Sequence, residues 1–276
     1  MQRNLKNRLF VVAVASAVLA TAGCDKLKAR DKLNKGVQAY KAAQFDTAIE
    51  DFKEAKALDP KLMNARLFLA TAYATQYIPG APSQDNMKMA SQAITEFKDV
   101  LTVDPNNLSA LDGIGSLLWG MGSNPYSEQT LEDAKQYHMK HISVAPNDPA
   151  SYYWIAVIDW AIAYHGDAEL RLDYNKDARK PLKETDPLPD KVAQQFAQKY
   201  GSLVDEGIQY AKDAMARKPE YDDAMAYLNL LYRSKADMET SADSRDADLK
   251  MADDLVHKVQ IIKQQRMANP HANPTS

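Results

Sequence analysis

One cysteine, ten glycines and six phenylalanines in 276 residues set the first limits on this chain. A single cysteine closes no internal disulfide, so the fold is held by burial, and 45% apolar residues are enough to bury a core. Scarce glycine beside abundant Ala, Leu, Lys, Asp, Gln and Met excludes little by itself but is the vocabulary of helices. No Gly-x-Ser-x-Gly elbow, phosphate-cradling glycine loop or dinucleotide fingerprint is present, which leaves nucleophilic and nucleotide chemistry without a motif. Long apolar runs are also missing. The single uncharged stretch of note, LFVVAVASAVLATA at 9–22, has 14 residues and is too short to span a bilayer comfortably.

That stretch follows the basic segment MQRNLKNR and precedes small residues, the order of a secretory signal. The cysteine, Cys24, stands where the signal ends. Ala22-Gly23-Cys24 resembles the lipobox of bacterial lipoproteins, with Thr21 where leucine is commoner. The resemblance implies cleavage after residue 23 and acylation of Cys24; the alternative is a plain cleaved signal with an idle thiol. Setting aside Arg3, Lys6 and Arg8 leaves 31 basic residues against 37 acidic ones, a net charge of −6. Such a balance argues against nucleic acid and leaves any membrane attachment to the lipid. The implied location is the bacterial cell envelope, lipid-anchored and facing the periplasm, with inner or outer membrane undecided.

What is abundant is a repeated phrase. AIEDFKEAKALDP at 48–60 returns as AITEFKDVLTVDP at 93–105. Ala48, Phe52 and Ala55 fall at i, i+4 and i+7 and share one helix face, where small residues let a neighbour approach and the aromatic fills the gap. Asp59-Pro60 ends that helix, and Asp46 is placed to cap its start. Over the 34 residues Ala29 to Leu62, Gly36, Tyr40, Phe45, Ala48, Phe52, Ala55 and Pro60 occupy the eighth, twelfth, seventeenth, twentieth, twenty-fourth, twenty-seventh and thirty-second places. This resembles the tetratricopeptide repeat (TPR).

Looser units follow. Ala93, Phe97 and Val100 mark the second; Ile114, Gly115 and Ala134 the third, with His138 and His141 where an aromatic and an alanine stood. Ile155, Ala156, Gly207, Ala211 and Ala214 mark the fourth, and a fifth begins DDAMAYLNLLYRSKA. The resemblance implies an all-α fold, a right-handed α-solenoid of about five stacked TPR hairpins over 29–267. Inserts fall near 78–86, 120–127 and 165–190. A C-terminal capping helix carries the stripe Met251, Leu255, Val259 and Ile262, and 268–276 reads as a disordered tail.

In TPR proteins a groove is lined from fixed places of each first helix. Carried over, these places give Val37, Tyr40, Leu67, Thr71, Asp112, Ser116, Trp119, Tyr153, Val157, Trp160, Leu230 and Arg233. Large aromatics and an arginine on one wall are hot-spot residue types. The bland alternative is that 165–190 folds back and makes them core. Asp159, amid the aromatic run SYYWIAVIDWAIAYHG, needs a buried partner such as a helix terminus, His165 or an arginine. His138 and His141 could share a metal, but no third ligand is named by the sequence. DYNKDARKPLKE at 173–184 places acids as in a calcium loop, yet Ala178, Pro181 and three cations spoil it. The expectation is therefore a non-catalytic TPR scaffold lipoprotein that binds a protein or peptide partner, with no cofactor and no metal. A solute-binding lipoprotein with a small-molecule or glycan pocket at the aromatic wall is the alternative, and a metal-dependent enzyme is third.

Overall fold

A computed structural model describes residues 24–268, so the signal segment and the last eight residues lie outside the described part. The described residues form ten helices: α1 (24–41), α2 (Phe45–Leu58), α3 (Met63–Gln76), α4 (Gln84–Val103), α5 (Leu108–Ser123), α6 (Glu128–Val144), α7 (Pro149–Asp177), α8 (Asp190–Arg217), α9 (Asp222–Ala236) and α10 (Ala242–Ala268). Among them the only β pairing is an isolated bridge between Ser123 and Tyr126. Contacts divide the chain into two units, one ending at Leu117 and one beginning at Leu118.

In the first unit the repeated phrase does what its spacing requires. Ala48, Phe52 and Ala55 on α2 are fully buried, and so are Ala93 and Val100 on α4, with Phe97 at 3% exposure. A Cβ added to Gly36 would lie 2.5 Å from the Phe52 ring, and one on Gly113 would lie 2.5 Å from Phe97. The same phenylalanine is thus seated on a glycine twice, within a hairpin in one case and between successive hairpins in the other. Phe68 of α3 stacks on Phe52 at 5.7 Å. Both helices end at an aspartate just before proline, Asp59 in extended backbone and Asp104 at φ −125°, ψ 86°.

The turn after α1 is a Schellman motif: Gln44 N–H donates to Ala39 O at 2.9 Å and Ala43 N–H to Tyr40 O at 3.0 Å. Ala43 takes the left-handed position, φ 58°, that glycine usually fills. Gln44, not Asp46, occupies the N-cap position of α2. Asp46 lies in the first turn, where its charge suits the helix dipole, and accepts from Gln76 at 3.2 Å. The 77–83 loop is pinned by Asn86, whose amide accepts from Ile78 N–H (2.7 Å) and donates to Ile78 O (2.8 Å) and Ala81 O (2.9 Å).

In the second unit α7 packs on α6, α8 and α9, and α10 on α9. Here the expected inserts differ from the structure. Residues 120–123 belong to α5, and 165–177 continue α7, while α8 begins at Asp190. The polar composition of 165–203 hid a second apolar seam in which Phe196 and Tyr200 are buried. Gly166 is buried against the Tyr200 ring, leaving no room for a Cβ. Only 178–189 is irregular. Arg171 holds it, donating to Lys183 O (3.1 Å) and Asp186 O (2.7 Å), and Asn175 exchanges two bonds with the Leu182 backbone at 2.7 and 3.0 Å. Asn175 is therefore occupied by the chain itself and is no calcium ligand. On α10 the buried residues are Ala252 and Ile262, and Met251 is 48% exposed, so the stripe starts one residue later than its sequence spacing suggested. Arg266 fastens the end of that helix to Asp222 at 3.1 Å and to Glu220 O at 2.6 Å.

Candidate functional site

The aromatic run of α7 splits between two faces. Ile155, Ala156, Val157 and Ile158 are fully buried, whereas Tyr153, Trp154 and Trp160 are half-buried. The half-buried rings join others into a continuous chain. Trp119 of α5 meets Trp154 at 5.8 Å, Trp154 meets Tyr153 at 5.3 Å, and Tyr153 meets Tyr227 of α9 at 5.6 Å. Tyr227 meets Trp160 at 5.3 Å, and Trp160 stacks on Tyr164 at 5.2 Å. Tyr221 adds a side branch, 5.2 Å from Tyr153. Both contacts of Tyr227 are edge-on, 75° to Tyr153 and 73° to Trp160, so the surface is corrugated.

At its Trp160–Tyr164 end this wall opens into a cavity of about 360 Å³. Its other sides come from Glu184 and Thr185 of the loop, Leu230, Arg233 and Ser234 of α9 with its C-cap Asp237, and Arg245 and Leu249 of α10. Tyr164 donates its hydroxyl to Glu184 at 3.0 Å. Behind the cavity, buried Arg171 donates to Asp167 (2.7 Å) and Asp237 (3.2 Å). Burial pushes Asp237 up to about 6 despite Arg171, and it raises Asp167 for the same reason.

The residues expected to line a groove are distributed between the units. Tyr40, Leu67, Thr71 and Asp112 lie in the first; Trp119, Tyr153, Val157, Trp160 and Arg233 in the second. Tyr40 and Thr75 share a hydrogen bond at 2.8 Å, and the Thr71 hydroxyl turns back to Leu67 O at 2.8 Å. Trp119, Tyr153 and Trp160 sit on the aromatic wall. Arg233 is exposed at the cavity, 2.6 Å from Asp253. Val157 is the exception: it is completely buried and presents nothing to a ligand. The helix is covered on more than one side, and the place that lines a groove in a shorter TPR helix here faces packing. Sequence reasoning missed Tyr221, Tyr227 and the role of Trp154. Tyr164, one turn beyond Trp160, was legible as an i, i+4 aromatic pair.

A second polar group lies deeper. Lys135 of α6 bonds Asp159 of α7 at 2.7 Å and Glu206 of α8 at 2.8 Å. The partner of Asp159 is thus a lysine, not His165, an arginine or a helix end. It was hidden because Lys135 sits on the inward face beside Leu131, Ala134 and His138. Burial drives the Asp159 carboxyl up to about 7 against the pull of Lys135. Burial also works against the Lys135 charge, but Asp159 and Glu206 outweigh it and its pKa is raised. With Asp159 at 0% exposure no substrate reaches this pair, which ties three helices together.

His138 and His141 are each 1% exposed. Among the described residues no group of three or more His, Cys, Asp or Glu is placed to hold a metal. His138 stacks on Trp154 at 6.0 Å, and neither of its nitrogens has a hydrogen-bond partner. His141 Nε2 lies 3.3 Å from Asp148. Cys24 is free and exposed, and no helix among the described residues is long and apolar enough to cross a membrane.

No family model matches the chain, and no curated protein aligns with it significantly. Solved structures do. A crystal structure of MamA superposes with a TM-score of 0.55 at 14% identity, covering 90% of this chain and 98% of that one. MamA from Desulfovibrio magneticus RS-1 gives 0.55 at 18% identity over 87% and 97%. YrrB, described as a TPR protein with an unusual peptide-binding site, gives 0.51 at 14% identity over 87% and 89%. At these identities the likeness is one of backbone, and the chain has the fold of the tetratricopeptide-repeat proteins.

Proposed function

We propose that this chain is a non-catalytic scaffold of the bacterial cell envelope that binds a protein or peptide partner on the wall running from Trp119 to Tyr164. The observation that carries the reading is the wall itself. Six rings, each within 6 Å of the next, stay half-buried or exposed in the second unit even where they also pack on its core, as Trp119, Trp160 and Tyr153 do. Large aromatic surfaces of this kind are rare on a protein that binds nothing. The peptide-binding site described for YrrB, a protein of the same fold, supports the same use. In this reading Cys24 carries the lipid, and its exposure leaves the thiol accessible for acylation. The helices start at once after it, so the TPR body is held close to the membrane.

The test is a crosslinking pull-down from membranes, comparing the wild type with Tyr153→Ala plus Trp160→Ala. Loss of the same partners in the double variant is the expected result; an unchanged partner set removes the wall as the binding surface. Labelling with a radiolabelled fatty acid, abolished by Cys24→Ser, is expected if the lipid anchor is correct.

The cavity at the Trp160 end favours a second reading, a small-molecule or glycan pocket, because its volume falls within the range of ligand sites. Protection of the Trp160 fluorescence by oligosaccharides but not peptides would select it.

A further inference from the structure

The wall carries two carboxylates that make no ion pair with a lysine or arginine among the described residues. Asp223, one turn before Tyr227 on α9, is exposed and pairs with no lysine or arginine among the described residues. Its field reaches the tyrosines. Burial raises the pKa of Tyr153, Tyr227 and Tyr221, the last to about 12, and in each case the Asp223 charge adds to the shift. At the far end Glu184 accepts the Tyr164 hydroxyl and has no cationic partner among the described residues.

The arginines at the cavity face other carboxylates, and among the described residues no ion pair joins Arg179, Lys180 or Lys183 of the 178–189 loop to Glu184. Arg233 is 2.6 Å from Asp253, Arg245 is 4.0 Å from Asp237, and Arg171 is shared by Asp167 and Asp237. Lys218 shows what this surface does with a positive charge: its ammonium lies 4.7 Å over the Tyr221 ring. Two places on the wall therefore combine partly exposed rings with a carboxylate that has no lysine or arginine partner among the described residues: its middle, Tyr153 and Tyr227 with Asp223, and its far end, Trp160 and Tyr164 with Glu184. That combination suits a long side chain with an apolar stem and a charged tip.

We propose that the segment bound on this wall is basic, its Lys or Arg side chains lying across the rings and reaching Asp223 beside the middle rings and Glu184 at the Tyr164 end. This rests on the wall being a peptide-binding surface, and the experiment separates the two ideas. Short fluorescein-labelled peptides of equal length, alternating Leu with Lys, Gln or Glu, are titrated against the wild-type protein, Asp223→Asn plus Glu184→Gln, and Tyr153→Ala plus Trp160→Ala, with helicity of all three checked by circular dichroism.

The Lys peptide is expected to bind the wild type at least about tenfold more tightly than the Glu peptide. That preference should collapse in the Asn/Gln variant and fade as salt is raised, while the Tyr153/Trp160 variant loses affinity for all peptides. Equal affinity of the Lys peptide for the wild type and the Asn/Gln variant overturns the charge assignment. If the Gln peptide binds as well as the Lys peptide and both need Tyr153 and Trp160, the wall stands and its basic selectivity falls. Binding of the Lys peptide that ignores the aromatic variant, or no binding of it at all, overturns both.

Discussion

His138 offers a direct measure of how the buried polar layer acts on stability. The imidazole is 1% exposed, and its two nitrogens, one donor and one acceptor when neutral, have no partner. Burial, aided by the nearby His141, lowers its pKa from 6.5 to about 4. The unfolded chain then takes up a proton below pH 6.5 that the folded chain refuses until about pH 4. Stability is lost as pH falls through that window, by roughly 1.4 kcal/mol per unit and about 3 kcal/mol in all.

His138→Phe keeps a ring against Trp154 and has nothing to protonate. The informative quantity is the stability difference between variant and wild type, from urea denaturation followed by far-ultraviolet circular dichroism at several pH values from 7.5 to 4. Any cost of fitting the larger ring is independent of pH and cancels from the slope. Contributions common to both proteins, Asp159 included, cancel as well. Near pH 7 the variant is expected to gain about 1 kcal/mol or more from removal of two unpaired groups, less the packing cost. Towards pH 4 its advantage should grow by about 3 kcal/mol. A difference that stays flat across pH 6.5–4 would show that His138 is hydrated or paired in solution and refute the reasoning; His138→Leu repeats the test with smaller volume.

Three further outcomes follow from packing and backbone geometry. Lys135→Met leaves the Asp159 charge buried without its closest partner and should cost about 3–5 kcal/mol, most of it restored by adding Asp159→Leu, as a double-mutant cycle in urea would show. Ala43→Gly relieves a left-handed alanine and should raise stability by about 1 kcal/mol, read as a higher thermal midpoint. Asn86→Ala strips Ile78 N–H, Ile78 O and Ala81 O of their partner and should cost about 2 kcal/mol, with faster amide exchange confined to residues 77–83.

The helical phrase was legible because its physics is local. Ala48, Phe52 and Ala55 share a face through the helix period alone, and Asp59-Pro60 stops the helix wherever the chain is placed. So the first hairpins, their all-α class and the shared face of Ala48, Phe52 and Ala55 were settled by the sequence. The likeness to solved structures, a TPR protein among them, shows the same fold at 14–18% identity.

Residues 165–203 were opaque for the opposite reason. Their apolar positions are sparse, and the seam they form exists only once Gly166 receives the Tyr200 ring and Arg171 collects carbonyls from a loop more than ten residues away. Spacing along one helix likewise could not decide that Val157 is buried while Trp160 is open, because that depends on which neighbours cover each side. The candidate site shows the same division. Tyr153 and Trp160 were named by repeat position, but Tyr227, which joins them, and Lys135, which answers Asp159, come from other helices. Contact between residues far apart in the chain is made by tertiary packing, and no local pattern records it.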